Sequence, residues 1–589
     1  MKGKARYLLV SIIAILAMLM VASPAFATST ASGTYAAATS TSTANVTVAT
    51  GNNGDTLSAY KVVNAALDTS ANTLTYTFTD SFKAFQEQSS NSTYKSMTAD
   101  DYCAMSTDST DFKSLLGAYS AYLMAQSPIP NADYTSTTVT DGSATFTGMA
   151  MGQYVIIGTG NTTGAIVYQT VTAEVVPVAQ GGTYVISPTY SVVMKTTTPT
   201  GEKTLDKGYT EDSYNNGTID TASIGDTLTY TLHGTVPTYS ENATNTTYYM
   251  GDVLSNGLTL KSTASEIAVY GYVEGADTSS TANGTKLTYG TDYTVTISGQ
   301  KLYIDYKYAN IKQYKTLTAT YDVVLNDNAK IGTAEGNPNT YTLVWSNNPF
   351  NGGTSIDHPT KETHGYGNTG NEKIVYTYSL YINKYEEKNE TDKLAGAVFA
   401  IYDNEACTGT PISTVTTDSN GYAAYTGLEK GTYYLKEVTA PTGYKLLTSP
   451  VKIDLSAASA TSTVSTTTST TYTTDVNAAS IKVQAMDANG VPLWLASNAT
   501  GGTPTASATQ PSDMVPAYVV STTTTVTTTP TDNAGAGSGY YPTNVSNAKG
   551  GNLPTTGGMG TTILYIIGAA LVLVAAVALI TKKRMAKRN

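Results

Sequence analysis

Most enzyme active sites are assembled from histidines, cysteines and paired acids, and this chain is poor in the first two. Its three histidines, His233, His358 and His364, form no HExxH pair or other metal-ligand spacing. Cys103 and Cys407 form no CxxC, and their separation along the chain argues against a disulfide. The glycine-rich stretches lack the strand-GxxxxGK[ST]-helix context that cradles phosphate. No metal, no cofactor and no enzymatic turnover are therefore expected. Two other segments stand out as dense in chemically suggestive residues, Tyr433–Tyr444 in the interior and Leu553–Gly557 near the C-terminus.

The elements that must position such residues are strands. The chain has 589 residues, too many for one core, and three or four domains are expected. It holds 45 Tyr but 2 Trp, and only 13% of its residues are charged, so Thr, Ser, Asn and Tyr must cover much of the surface. Thr and Tyr suit strands. Period-2 alternation recurs, as at Leu228/Tyr230/Leu232 and Tyr376/Tyr378/Leu380/Ile382. Helical periodicity is confined to residues 80–125, with Phe82, Phe85, Leu115, Leu116 and Tyr119. The charge of −11 excludes a nucleic-acid partner, because phosphate binding needs a basic face.

Both ends carry addresses. Lys2, Lys4 and Arg6 precede an apolar run from Leu8 to Val21 that closes on Ala25-Phe26-Ala27, the pattern of a secretory signal peptide cleaved after Ala27. At the other end an apolar run, Ile563–Ile580, is long enough to cross a bilayer and is followed by Lys582, Lys583, Arg584, Lys587 and Arg588, which resist translocation. Ahead of it stands Leu553-Pro554-Thr555-Thr556-Gly557. The three parts in this order resemble the sortase sorting signal. The resemblance implies attack on the Thr556 carbonyl by a sortase thiolate, release of the Gly557 side, and transfer of Thr556 to an amine.

Between the ends, composition separates three regions: 28–194, 195–370 beyond a Thr/Pro joint, and 374–550 beyond the glycine-rich stretch 365–370. The first and third share an ungapped repeat, in which Gly142–Tyr154 matches Gly421–Tyr433, each reading as a hairpin. The Thr/Ser tracts 456–475 and 520–531 read as long strands of a surface insertion, with a disordered stalk as the competing reading.

Tyr433-Tyr434-Leu435-Lys436-Glu437-Val438-Thr439-Ala440-Pro441-Thr442-Gly443-Tyr444 resembles the E-box of Gram-positive pilins, YxLxExxAPxGY. Tyr381–Lys384, Leu394–Phe399 and Val545–Asn547 resemble the first two strands and the last strand of a CnaB-type domain. In that family a strand-one Lys and a last-strand Asn are joined as an isopeptide with an acid as promoter. The resemblance assigns these roles to Lys384, Asn547 and Glu437. The chemistry is physically coherent: an apolar core favours a neutral amine, which is a nucleophile, and a neutral carboxylic acid, which can polarise the Asn carbonyl.

The second region is similar to the CnaA-like middle domain of three-domain pilins, which implies Lys203, Asp252 and Asn339, with Asp226 as rival acid and Asn337 and Asn347 as rival acceptors. The first region departs from the pattern. Gly158 matches Glu437 through the repeat, and residues 28–60 contain no lysine, so no isopeptide is expected there. Val192-Val193-Met194-Lys195 sits where the pilin motif ends in VYPK, and the resemblance makes Lys195 the acceptor amine for Thr556 of the next subunit.

The expectation is an all-β chain of tandem Ig-like (CnaA/CnaB-type) β-sandwich domains, with a cleaved signal peptide and a C-terminal sorting-signal helix. The family it is identified with is the sortase-assembled backbone pilins. That implies a secreted structural subunit joined to copies of itself, to possible tip and minor pilins and to peptidoglycan by pilus-specific and housekeeping sortases, and membrane-bound only before sorting. A monomeric wall-anchored adhesin is the alternative.

Overall fold

The computed structural model describes residues 29–550 apart from 51–53, 159–164, 207–209, 213–216, 333–334, 351–357, 359–365, 456–462, 480–481, 488, 498, 500 and 530–539. The signal peptide 1–27 and the sorting signal 553–589, Thr556 included, lie outside the described residues.

In the first region the opening strand Thr43–Ala49 buries Ala44, Val46 and Val48 and exposes the alternate positions more. It pairs antiparallel with Ser143–Ala150 and parallel with Thr189–Val193. The facing sheet is built on Leu57–Asp68, between Thr73–Phe78 and Gly152–Gly158, with Val171–Val175 beyond. Gly152–Gly158 is buried at every residue, because the sheet is covered on both faces. One cover is the opposing sheet; the other is the helical segment expected at 80–125, whose Phe82, Phe85, Leu115 and Tyr119 pack on Val63 and Val155. Its helices begin on sequence-legible caps: Thr79 accepts from Phe82 N, Thr98 and Asp101 form a capping box, and Ser109 accepts from Phe112 N.

The third region repeats this plan strand for strand. Its opening strand Tyr378–Glu386 lies antiparallel to Tyr422–Leu428 and parallel to Tyr540–Asn547. Facing it, Val398–Tyr402 pairs with Ser413–Thr416 and Gly431–Thr439, and the latter with Val451–Leu455. The repeat seen in the hairpins thus extends to the whole sandwich. The Thr/Ser tracts form an antiparallel ribbon, Thr463–Thr473 with Tyr518–Thr529.

The middle region faces one sheet, Gly201–Leu205, Thr227–Thr235 and Thr316–Leu325, against another, in which Tyr248–Leu254 lies between Lys301–Tyr306 and Asn337–Ser346. Leu228, Leu232, Met250, Ile304, Leu343 and Trp345 fill the space between, each large apolar side chain contributing about 1.5–3 kcal/mol by leaving water. Glu372–Tyr376, of which residues 374–376 fall by composition in the third region, instead pairs with Asn337–Thr340 of this sheet. The chain changes sandwich at Thr377, the one residue between Glu372–Tyr376 and Tyr378–Glu386.

The sandwiches pack on one another. Phe350 enters the helical core of the first region, Asn242 Nδ2 donates to Ser114 O at 2.8 Å, and Trp345 Nε1 donates to Ala165 O at 3.1 Å. At the other joint Ile224 N donates to Gly427 O at 2.8 Å and Glu429 N to Ser223 Oγ at 3.0 Å.

Candidate functional site

Three strands of the third sandwich bring Lys384, Glu437 and Asn547 to one point in its core. Lys384 is on the opening strand, Glu437 on the facing sheet and Asn547 on the closing strand. They are 0%, 2% and 1% exposed, in an interior where lone charges are strongly disfavoured. The Lys384 amine donates to Asn547 Oδ1 and, at 3.3 Å, to Val545 O; Glu437 Oε1 lies 3.7 Å from it. Asn547 Nδ2 donates to both Glu437 oxygens at 2.9 Å and to Lys445 O at 2.9 Å, while Leu447 N donates to Glu437 Oε2 at 2.9 Å. Burial lowers the Lys384 amine to about 8, against the opposing pull of Glu437. The carboxyl group meets the amide nitrogen, the atom that would leave as ammonia, rather than the carbonyl oxygen on which the sequence reading placed it. A carboxyl so placed can take the proton the amine sheds on attack and pass it to the departing nitrogen.

The middle sandwich gathers an equivalent set. Lys203 and Asp252 have fully buried side chains, and the amine donates to Asp252 Oδ1. The Tyr321 hydroxyl donates to Asp252 Oδ2 and accepts from Asn339 Nδ2 at 3.0 Å. Among the described residues Asn339 Oδ1 has no hydrogen-bond partner. Burial pushes Asp252 up to about 6, against Lys203, and brings Lys203 down to about 8, against Asp252. Burial thus narrows the gap between the two groups, so passing a proton from Lys203 to Asp252 costs less than in water and the neutral amine and neutral acid that amide exchange needs become more accessible.

The rivals sit elsewhere. Asp226 accepts from Ser223 N at 2.9 Å in the turn before Thr227–Thr235. Asn337 is committed to backbone, accepting from Lys330 N at 2.8 Å and donating to Lys330 O and Val375 O at 3.1 Å. Asn347 lies past the end of Asn337–Ser346. Tyr321 was missed by sequence reasoning; its signal was the alternation Leu317/Ala319/Tyr321/Val323, which points a hydroxyl into an apolar core.

In the first sandwich the matching positions hold no such set. Thr50 takes the place of Lys384, Gly158 that of Glu437 and, counting along the parallel closing strand, Thr196 that of Asn547. A Cβ on Gly158 would come 2.5 Å from Cγ of Tyr168, whose ring fills the space and whose hydroxyl donates to the buried Asp55.

Lys195 lies two residues past Thr189–Val193, the closing strand of the first sandwich. Met194 N donates to Ala49 O at 2.9 Å and Gln169 N to Lys195 O at 3.0 Å, which fixes its backbone at the joint. Its side chain is part exposed, beside a buried Met194 and an exposed Val193. Its expected partner, Thr556, lies outside the described residues. Among the described residues no cluster of three His, Cys, Asp or Glu is placed to hold a metal.

Comparison with known proteins agrees with this architecture. The family model described as SpaA, prealbumin-like fold domain, matches residues 378–470. The trypsin-resistant surface T6 protein of Streptococcus pyogenes serotype M6 is 31% identical over 383 residues, 63% of this chain and 68% of the relative. The solved T6 backbone pilin of the same serotype, reported to have a modular three-domain structure, superposes with a TM-score of 0.58 at 25% identity, covering 86% of this chain and 99% of that one. The full-length major pilin SpaD of Corynebacterium diphtheriae matches 72% of this chain and 93% of its own, at 18% identity and a TM-score of 0.44. The chain belongs to the family of Gram-positive backbone pilins and is a structural subunit of a surface pilus.

Proposed function

We propose that this subunit polymerises through an amide between the Lys195 amine and the Thr556 carbonyl of the next copy, formed by a sortase, and that two internal amides stiffen the resulting fibre. In each internal step the lysine nitrogen forms a bond to the asparagine Cγ and the Cγ–Nδ2 bond breaks. The acid relays a proton from amine to amide nitrogen, and one ammonia leaves. Lys384 joins Asn547 with Glu437 as promoter; Lys203 joins Asn339 with Asp252 as promoter. Sortases, tip and minor pilins, and peptidoglycan at the base of the fibre are the partners of this reading, and the covalent link to the wall is its localisation.

The observation that carries the proposal is the burial of two ionisable groups, Lys384 and Glu437, against Asn547 in the core. A buried, merely ionic set of this kind seldom adds net stability, whereas a covalent product would. A monomeric adhesin would have no need of Lys195. A denaturing gel of cell-wall extract separates the readings. The wild type should give a ladder that survives boiling, and Lys195→Ala should collapse it to monomer while export continues. An unchanged ladder would move the acceptor to another lysine.

A further inference from the structure

The segment between Val451–Leu455 and Tyr540–Asn547 belongs by sequence to the third sandwich, yet its apolar side chains pack on the middle one. Val483, Ala485, Leu493, Leu495 and Val519 form one cluster with Val324. Val324 is on the middle strand Thr316–Leu325, whose Leu317, Ala319, Tyr321 and Val323 fill that sandwich's own core. By alternation Val324 should face water, but it is only 2% exposed, within the insert's cluster. Polar contacts surround this patch. Asn328 Nδ2 donates to Met486 O at 2.8 Å and to Asp487 O at 3.3 Å. A Cβ on Gly490, which has a φ of +75°, would meet Asn256 Oδ1 at 2.9 Å and Gln300 Cγ at 3.0 Å. Ile224 of the middle region borders the cluster and also presses on Gly427 of the third sandwich.

We propose that this insert is a strap, rooted at both ends in the third sandwich, that docks on the outer face around Val324 and Asn328 and sets the angle between the middle and third sandwiches. The chain itself crosses between them at Thr377 alone, with Ile224 on Gly427 and Glu429 N on Ser223 Oγ beside the crossing, and domains so joined move relative to one another unless their interface is large. The strap adds a further non-covalent connection, away from that crossing and anchored on Val324 and Asn328. Its docked face is apolar at the centre and hydrogen-bonded at the margin, the arrangement of a specific interface. The assignment does not depend on either internal amide.

Between Lys452 and Lys549 the only lysine or arginine is Lys482. Its ammonium donates to the carbonyls of Val476, Asn477 and Ala479 at 2.8, 2.9 and 2.6 Å, and the next residue, Val483, is in the docked cluster. Trypsin therefore reads docking at a single bond. The mature wild-type chain should resist cleavage after Lys482 and give a fixed, compact small-angle scattering profile. Leu495→Asp in the insert and Val324→Asp beneath it should each speed that cleavage at least tenfold and increase the radius of gyration. Asn328→Ala, which leaves both cores intact, should move both readings in the same direction by a smaller factor. Wild-type cleavage and scattering in all three variants, or a wild-type chain cut at Lys482 as fast as Leu495→Asp, would overturn the proposal.

Discussion

Thr50 stands in the first sandwich where Lys384 stands in the third: each donates its backbone N–H to the glycine carbonyl of the matching hairpin, Gly142 O and Gly421 O, at 2.7 Å. The two copies follow one chain path and differ at the positions where an amide would form. The difference is built in on all sides, since Tyr168 occupies the room that an acid at Gly158 would need. It also fits the proposed path of tension, which runs from Lys195 to Thr556 through the middle and third sandwiches. The first sandwich lies N-terminal to Lys195 and stays outside it.

The intact mass of the mature chain should be short by two ammonias. Glu437→Ala should restore one and Lys203→Ala the other. Each loss also opens a covalent loop that restricts the unfolded chain, so the affected sandwich should lose about 3–5 kcal/mol, read from its urea midpoint. Three missing ammonias, or one traced to a lysine before Lys195, would contradict the comparison of the two copies.

Tyr321→Phe tests the hydroxyl that links Asn339 to Asp252. The variant keeps the ring and its stack on Tyr230, with centroids 5.9 Å apart. It leaves a buried carboxylate oxygen and a buried amide short of a partner, at a cost of about 1–3 kcal/mol. Formation of the middle amide should slow by one to two orders of magnitude, while the third sandwich matures normally. Equal maturation of both would reduce Tyr321 to packing.

Blocking the middle amide exposes a pH dependence. In Asn339→Ala, Lys203 still faces Asp252; in the intact site burial is the main cause that pushes the acid up to about 6 and brings the amine down to about 8, and removing the Asn339 amide, which lowers the acid, moves Asp252 further up. An unfolded Asp ionises near 3.9, so between about pH 4 and 6 the folded chain binds more protons and stability falls as pH rises. Between about pH 8 and 10 the unfolded lysine keeps a proton that the folded one has lost, and stability rises with pH. Unfolding midpoints should therefore pass through a minimum between these windows. A maximum there would mean that the ion pair outweighs its desolvation.

The sandwich class and the helical exception at 80–125 were legible because alternation, helical periodicity and the hairpin repeat are local signals. Lys384, Glu437 and Asn547 were legible only through the motif that Tyr433–Tyr444 completes; no spacing rule brings residues 163 positions apart, as Lys384 and Asn547 are, to one point. Tyr321 escaped because an inward Tyr looks like core until its hydroxyl is seen to have two partners. The docking of the insert on Val324 escaped as well: a single outward Val on a strand is ordinary, and its cover comes from another sandwich.

The most direct test is tandem mass spectrometry of protease digests of purified fibres. A branched peptide should be found in which the carbonyl of Thr556 is bonded to the side-chain nitrogen of Lys195, and it should vanish from cells carrying Lys195→Ala. Fibres that contain this chain but join Thr556 to another lysine, or that come apart to monomers in boiling detergent, would contradict the proposed polymer.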